Sequence, residues 1–243
     1  MTPPASRAPN TSAAPALDRE GGKPASVQSL TDRAYAALEE MIVTLRLPPG
    51  AVVSESALSE QLGIGRTPIR EALQRLAREH LVIVLPRRGI VVSDVDVSSQ
   101  LRLLEVRREI ERLVARSAAR QGSDDERRQF AQLAAAFEAA ARTNDEVAFM
   151  RTDRAFNELS LVAARNEHAT GAMSLMHALA RRFWFIHYKQ VADMPLAAKM
   201  HAAVARAIAS GEEDAAALAS DRLIDYIERF TRDARHKGRD RKA

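Results

Sequence analysis

Two arginines four residues apart, Arg66 and Arg70, have the types and spacing needed to bind a polyanion. This spacing places them on one face of a helix, and Thr67 between them can donate a hydrogen bond to a phosphate. Guanidinium groups reach phosphates and guanine edges, so a helix that begins with these residues fits the major groove of DNA. Segment 61–90 holds six arginines against two glutamates, whereas residues 29–95 hold eight basic and eight acidic residues. Positive charge is thus concentrated where a nucleic acid would bind.

The elements around these arginines are typical of a helix-turn-helix. Helical spacing of apolar residues begins at Leu30, and the Pro-Pro-Gly run at 48–50 ends this first helix. Ser54 is a suitable N-cap for a short second helix, which ends at a Gly-Ile-Gly turn. We expect a third helix to follow at once, with Thr67 as its N-cap and Pro68 at its first helical position.

A hairpin is predicted after the third helix, because two β-branched runs at 81–85 and 90–92 flank a Pro-Arg-Arg-Gly turn. Its tip carries Arg87 and Arg88 beside Gly89, from where a wing can reach the minor groove or the phosphate backbone. The order helix, helix, turn, helix, hairpin is that of a winged helix-turn-helix. Alternatively, these arginines only form a solvated surface. The agreement of caps, turn glycines and charge favours the DNA-binding interpretation.

Composition predicts a mainly α protein of two ordinary domains. The chain has 243 residues, of which 46% are hydrophobic, 28% charged and only 5% aromatic, and straight-chain residues and alanine favour helices. Cysteine is absent, which excludes disulfides, thiolate zinc sites and cysteine nucleophiles and suits a reducing cytoplasm. No apolar run approaches the roughly 20 residues that span a bilayer. We therefore expect a cytoplasmic protein without a membrane partner.

The domain boundaries follow from changes in composition. Residues 1–28 are rich in Pro, Ala, Ser and Gly, which predicts a disordered tail. We assign 29–95 to the winged helix-turn-helix and 98–235 to a second, all-helical domain of five or six amphipathic helices. Seven basic against three acidic residues in 228–243 predict a frayed end too polar to pack, with 236–243 as a basic tail.

Local capping signals set helix ends within the bundle. A Ser-Asp-Asp-Glu run starting at Ser123 is a capping box that opens one helix. Asn144 can cap another helix, Pro195 suits a helix start, and Gly211 can end that helix.

The run LSEQLGIGRTPIREALQRL at 58–76, followed by the Pro-Arg-Arg-Gly turn, resembles the N-terminal domain of GntR-family bacterial regulators. The resemblance implies that Arg66, Thr67 and Arg70 contact DNA and that the wing inserts beside them. The fatty-acid-responsive branch has a DNA-contacting arginine early in the second helix, where this chain has Ser56. Part of the operator is therefore expected to differ. Resemblance also implies a homodimer that binds palindromic double-stranded operator DNA, more often as a repressor.

Residues 98–235 resemble the effector domain, called FCD, of the FadR-type branch of that family, which implies an antiparallel all-helical bundle. The resemblance rests on four stretches of sequence: LEVR at 104–107 with Glu111, DRAFNEL at 153–159, Asn166, and His201 followed by AIASG at 207–211. It implies that the domain binds a small-molecule effector and forms the dimer.

Many such domains hold a divalent metal of the Zn, Ni or Mn class through an aspartate, a histidine one helical turn later and two further histidines. Asp153 and His201 match two of these positions, and Asn157 replaces the first histidine. Either Asp221 or Leu223 falls at the last position, and only Asp221 can ligate, if it faces inward. The resemblance thus implies a degenerate metal site. A metal-free polar pocket and a lost pocket remain the alternatives.

Cationic side chains near aromatic residues are candidates to hold the carboxylate of an organic acid. Arg181, Arg182 and His187 surround a Phe-Trp-Phe run at 183–185, and Arg107 of the LEVR motif is a further candidate. Alternatively, the aromatic residues belong to the core or a dimer interface and the arginines are solvated.

The sequence is compatible with three functions: a ligand-responsive transcriptional regulator, a ligand-insensitive architectural DNA binder, and a hydrolase with a metal held by Asp153 and His201. The sequence has no Ser/His/Asp set, phosphate-binding glycine loop or HExxH motif, and a DNA-binding domain is hard to reconcile with a hydrolase. We therefore expect a regulator and no catalytic residues.

Overall fold

The computed structural model describes residues 29–85, 89–191 and 193–240. The predicted tail at 1–28 and the wing arginines Arg87 and Arg88 lie outside the described residues. Within these ranges the chain forms nine helices and three short strands, which confirms the mainly α prediction. None of the helices in the described ranges is long and apolar enough to cross a membrane.

The N-terminal domain is a winged helix-turn-helix, as the sequence predicts. Its elements are α1 (Leu30–Val43), β1 (Val52–Val53), α2 (Glu55–Leu62), α3 (Arg66–Arg78), β2 (Val82–Leu85) and β3 (Gly89–Val92). The strands form one antiparallel sheet of order β1-β3-β2, in which β1 is an addition to the predicted hairpin. Apolar faces of α1 and α3 meet in the core, where Leu38, Ile69 and Leu76 are fully buried.

The start of α3 differs from the predicted one. Gly65, not Thr67, is the N-cap, and the helix begins at Arg66, with Ile69 donating its amide to the Gly65 carbonyl at 3.3 Å. Pro68 is therefore the third residue of the helix and not, as predicted, the first, and it is tolerated there because the first amides of a helix have no acceptor within the helix. Thr67 consequently lies inside the first turn, with its hydroxyl not used as a cap.

The C-terminal domain contains the other six helices. They are α4 (Val97–Gln121), α5 (Asp124–Thr143), α6 (Glu146–Ala163), α7 (Glu167–Val191), α8 (Met194–Ser210) and α9 (Glu213–Asp240). Phe130 and Phe137 of α5 are fully buried at its centre, together with small residues of α8. Close approach of α5 and α8 is possible because alanines dominate their facing sides.

Capping explains most helix ends in this domain. The Ser123–Glu126 capping box is confirmed, and the Arg165 hydrogen bond lowers the pKa of Glu126 to about 2. Gly211 ends α8 at φ 78°, as expected. Asn144, however, is the C-cap of α5 at φ 53°, and Asp145 caps the start of α6 instead. An asparagine tolerates the left-handed conformation that this helix end requires.

The prediction that 228–243 is too polar to pack is wrong for its first part. Helix α9 continues to Asp240, and Phe230, Thr231 and Ala234 are buried. Phe230 packs against Trp184 with ring centroids 4.9 Å apart. The high charge of this segment made the buried face of α9 hard to predict, because three apolar or small residues at helical spacing are enough to bury one side of a helix.

Candidate DNA-binding tip and ligand cavity

The exposed N-terminal turn of α3 is the candidate DNA-binding tip. Arg66 and Thr67 are both exposed, while the opposite face of the same helix is buried through Ile69 and Leu73. Gly65 contributes no side chain as a cap, so the first amides remain available to an anion at the positive end of the helix dipole. This turn can therefore meet phosphates and base edges at once.

Arg70 lies on the same face but is held by α2. Its Nε and Nη2 donate to the Glu55 carboxylate at 2.9 Å and 2.7 Å, and its side chain stays 59% exposed. The hydrogen bond from Arg70 lowers the pKa of Glu55. Ser56, beside Glu55, is exposed and lies 3.1 Å from the Ser54 hydroxyl, oxygen to oxygen. The Arg70 guanidinium is thus oriented by Glu55, and a phosphate or base that contacted it would share it with that carboxylate.

Gly89 has a backbone role in the wing. Its φ is 93°, and a Cβ at this position would lie 3.2 Å from the Val53 carbonyl oxygen. The first residue of β3 therefore needs glycine for conformation and for the close approach of β1.

A cavity of about 410 Å³ lies between the two domains and extends into the C-terminal one. Its apolar wall is largely aromatic and includes Phe149, Phe156, Phe183, Trp184 and Phe230. Among the predicted site residues it is lined by Asp153, Asn157, His201, Arg107 and Arg181. Residues of the N-terminal domain, from α1 and α3, complete the lining. A volume of this size accommodates a small organic molecule.

Asp153 and His201 form an ion pair in this cavity. The His201 Nε2 lies 3.2 Å from Asp153 Oδ1, and its Nδ1 lies 2.8 Å from the Ala197 carbonyl oxygen. A carbonyl oxygen only accepts, so Nδ1 carries a proton, and the carboxylate favours a second proton on Nε2. Three phenylalanine rings, Phe137, Phe149 and Phe156, surround the imidazole at 5.1 to 6.2 Å between centroids. This cage suits a cation.

The pKa shifts agree with a charged pair. Burial alone would lower the pKa of His201, but the hydrogen bond and charge of Asp153 outweigh it and raise that pKa. Burial alone would raise the pKa of Asp153, but His201, together with His177 and Arg107, lowers it. Both shifts favour the charged form of each group, as expected for an ion pair.

The donor set implied for a metal is not assembled. Leu223 faces the cavity, whereas Asp221 points to the other side of α9, where it pairs with Arg108 and Arg112 at 3.9 Å and 3.6 Å. Asp221 therefore does not replace the missing ligand. The part of the chain that the structure describes contains no group of three or more His, Asp or Glu placed to hold a metal. Asp153 and His201 supply two of the four implied donors, and an asparagine amide oxygen is only a weak third ligand.

His177 is a cavity residue that the sequence did not single out. It lies on α7, and its Nε2 is buried without a hydrogen-bond partner. The pKa of His177 is lowered, mainly by burial of the ring and further by the nearby Arg107. The ring is therefore neutral near pH 7. An unpaired buried nitrogen of this kind favours a ligand that supplies a hydrogen bond.

Two of the four cationic candidates line the cavity and two do not. Arg107 lines it and pairs with Glu111 at 2.6 Å, and Arg181 lines it and contacts α1. Arg182 is instead buried and donates to the Ser93 and Asp94 carbonyls, and its burial lowers its pKa to about 10. The His187 ring packs at a tilt against Phe183, with ring centroids 4.5 Å apart, and it is not part of the cavity lining. Successive residues of a helix point 100° apart, so neighbours in sequence face different partners.

Comparison with known proteins gives the family of this chain. The sequence profile of bacterial regulatory proteins of the gntR family matches residues 30–92, and the FCD-domain profile matches residues 102–226. The HTH-type transcriptional repressor RspR of Escherichia coli is 24% identical over 213 residues, covering 88% of this chain and 93% of RspR. An HTH-type transcriptional regulator of Streptomyces ambofaciens is 50% identical over 62 residues, a match that spans 26% of each protein.

A solved structure shows the same fold. E. coli McbR/YncC superposes with a TM-score of 0.73 at 18% identity, covering 84% of this chain and 98% of that protein. The matched profiles and relatives describe transcriptional regulators and not enzymes. The chain therefore belongs to the GntR family of DNA-binding transcriptional regulators, with an FCD effector-binding domain in its C-terminal half.

Proposed function

We propose that this protein is a repressor that binds a palindromic operator as a homodimer, and that an organic acid in the cavity changes its affinity for the operator. The observation that carries the proposal is the exposed turn of Arg66 and Thr67 at the start of a helix whose opposite face is buried. RspR is named as a repressor, which supports repression and not activation as the effect of this protein on transcription. Arg107, Arg181 and the aromatic wall support an acid with an apolar body.

Selection of DNA from a random library by the full chain tests this proposal. We expect an inverted repeat whose half-sites lie about one turn of DNA, roughly 34–36 Å, apart. Organic acids added to a titration of the selected DNA should shift affinity about 5- to 150-fold. Failure to enrich any sequence would contradict the regulator proposal. If an inverted repeat is enriched but no acid shifts affinity or the melting temperature, a ligand-insensitive DNA-binding protein replaces it.

We also propose that the cavity works without a resident metal, because Leu223 and Asn157 replace two of the implied ligands. A metal present at one hundred times its dissociation constant stabilises a protein by about 2.7 kcal/mol, which raises Tm by several degrees. We expect no such rise with Zn²⁺, Ni²⁺ or Mn²⁺, and no fall in the presence of EDTA. A rise that His201→Leu abolishes would contradict the metal-free cavity.

A further inference from the structure

Helix α7 joins the two domains. Its Ala178 is buried in the apolar core of the N-terminal domain. One turn later, Arg182 donates to the Ser93 carbonyl at 3.0 Å and to the Asp94 carbonyl at 3.2 Å, in the segment between the domains. Arg181, next to Arg182, turns toward α1 and the cavity. The position of α1 relative to the bundle therefore depends on this part of α7.

Arg181 binds two carboxylates of α1. Its Nη1 donates to Glu39 Oε1 at 2.9 Å, and its Nη2 lies 3.5 Å from Glu40 Oε2. Arg181 and Glu39 both line the cavity and are mostly buried, with side-chain exposures of 26% and 18%. Burial raises the pKa of Glu39 even though Arg181 lowers it, so this carboxylate is less well stabilised than a solvated one. A second carboxylate in the cavity would compete with it for the same guanidinium.

The other arginines of the cavity are paired within their own domain, and Arg75 has a second carboxylate there, Asp32 of α1, at 3.8 Å. Arg107 pairs with Glu111 at 2.6 Å, and Arg154 pairs with Glu158 at 2.9 Å. Arg75 pairs with Glu79, again four residues later, at 3.2 Å. Among the lining arginines that the structure describes, Arg181 is thus the one held by a carboxylate of the other domain.

A second set of contacts connects α1 to α3, the helix that carries Arg66. Tyr35, one turn before Glu39 on α1, also lines the cavity. The Arg75 guanidinium of α3 lies 3.6 Å from the centre of the Tyr35 ring, and Tyr35 donates to Glu79 at 2.7 Å. A shift of α1 therefore moves the Tyr35 side chain, which contacts Arg75 and is hydrogen-bonded to Glu79 at the end of α3.

We propose that Arg181 is the carboxylate-binding residue of the cavity and that Glu39 occupies it when no acid is bound, so that effector and DNA-binding domain compete for one guanidinium. This inference rests on the proposed function, since it names the ligand class and the regulation of the same cavity. The acid is a monocarboxylate with an aromatic or other apolar body, because Trp184, Phe149 and Phe230 form the wall.

The test uses the full chain and the fluorescence of Trp184, which lines the cavity and is the single tryptophan of the sequence. Benzoate and 4-phenylbutyrate are titrated, with 4-phenylbutyramide as the uncharged probe. We expect the acids to bind and the amide to bind at least about tenfold more weakly. Arg181→Ala should weaken binding of the acids about 10- to 100-fold. Glu39→Gln should strengthen it about three- to tenfold and shrink the effect of acid on DNA affinity.

Glu109→Gln is the matched control, because it removes the carboxylate of an Arg–Glu pair that lies outside the cavity lining, and an exposed pair of this kind contributes little. It should change neither acid binding nor the acid effect on DNA. Equal binding of acid and amide, unchanged acid affinity in Glu39→Gln, or retained affinity in Arg181→Ala would each overturn the assignment. If neither acid binds the wild type or Glu39→Gln, the assignment is also overturned, and titration with the selected DNA reports separately on the regulator proposal.

Discussion

Arg66→Ala is expected to weaken binding to the selected DNA by about 5- to 150-fold for each copy of α3 that contacts the DNA, and the fold should be unchanged. The estimate corresponds to about 1–3 kcal/mol, the contribution of one good arginine contact to a base or phosphate. Arg66 is exposed at the first position of α3, so its removal leaves the core intact. A fluorescence anisotropy titration at several salt concentrations measures both the affinity and its salt dependence.

Arg142→Ala is the matched control for this measurement. Arg142 is an exposed arginine at the C-terminal end of α5 in the other domain, so the control removes the same charge far from the tip. It should change neither affinity nor salt slope. Equal behaviour of the Arg66 and Arg142 variants would mean that only net charge matters, which contradicts a specific contact.

His201→Leu is expected to lower the free energy of unfolding of the C-terminal domain by about 3–5 kcal/mol at pH 7, because it leaves the Asp153 carboxylate without its partner. The Asp153→Asn/His201→Leu double variant should be more stable than His201→Leu alone, since no uncompensated charge remains. Chemical denaturation followed by Trp184 fluorescence measures these differences, because Trp184 packs 6.0 Å from Phe149 beside the pair. A double variant that is less stable than His201→Leu would contradict a charged pair.

The Asp153–His201 pair should also make the free energy of unfolding depend on pH in a defined way. His201 has a raised pKa, so its contribution is full below its ordinary value of 6.5 and is lost as pH rises through the raised value. Asp153 has a lowered pKa, so its contribution is present above 3.8 and is lost as pH falls through the lowered value. The stability difference between wild type and double variant should therefore be greatest between about pH 4 and 6.5. A difference that is flat across pH 3–9 would contradict the assignment of charges.

Local signals were sufficient to predict the fold of the candidate DNA-binding tip. The Ser54 cap, the glycine turn and the apolar face of α3 each depend on residues within a few positions, and the structure has all three. The N-cap was displaced from Thr67 to Gly65, a shift of two residues that is within the usual uncertainty of helix ends. The exposure of Arg66 follows from the same local pattern, because the apolar positions of α3 determine which face is buried.

The cavity depended on contacts that a sequence does not show. The choice between Asp221 and Leu223 is a rotation of about 200° on one helix, and it is determined by how α9 packs, not by its composition. Arg181 meets Glu39 across 142 positions of the chain, and His177 becomes a cavity residue only through the packing of α7. Burial of Phe230 likewise depends on Phe183 and Trp184 of another helix.

The absence of cysteine from the sequence allows the DNA-binding tip to be tested directly. Thr67→Cys places one thiol in the exposed first turn of α3, and Thr143→Cys places one at an exposed position of α5 in the other domain. Alkylation by a maleimide is followed with and without a saturating amount of the selected DNA. We predict that DNA slows alkylation at position 67 and leaves position 143 unchanged. An unchanged alkylation rate at position 67 while DNA is bound would contradict the placement of DNA on this turn.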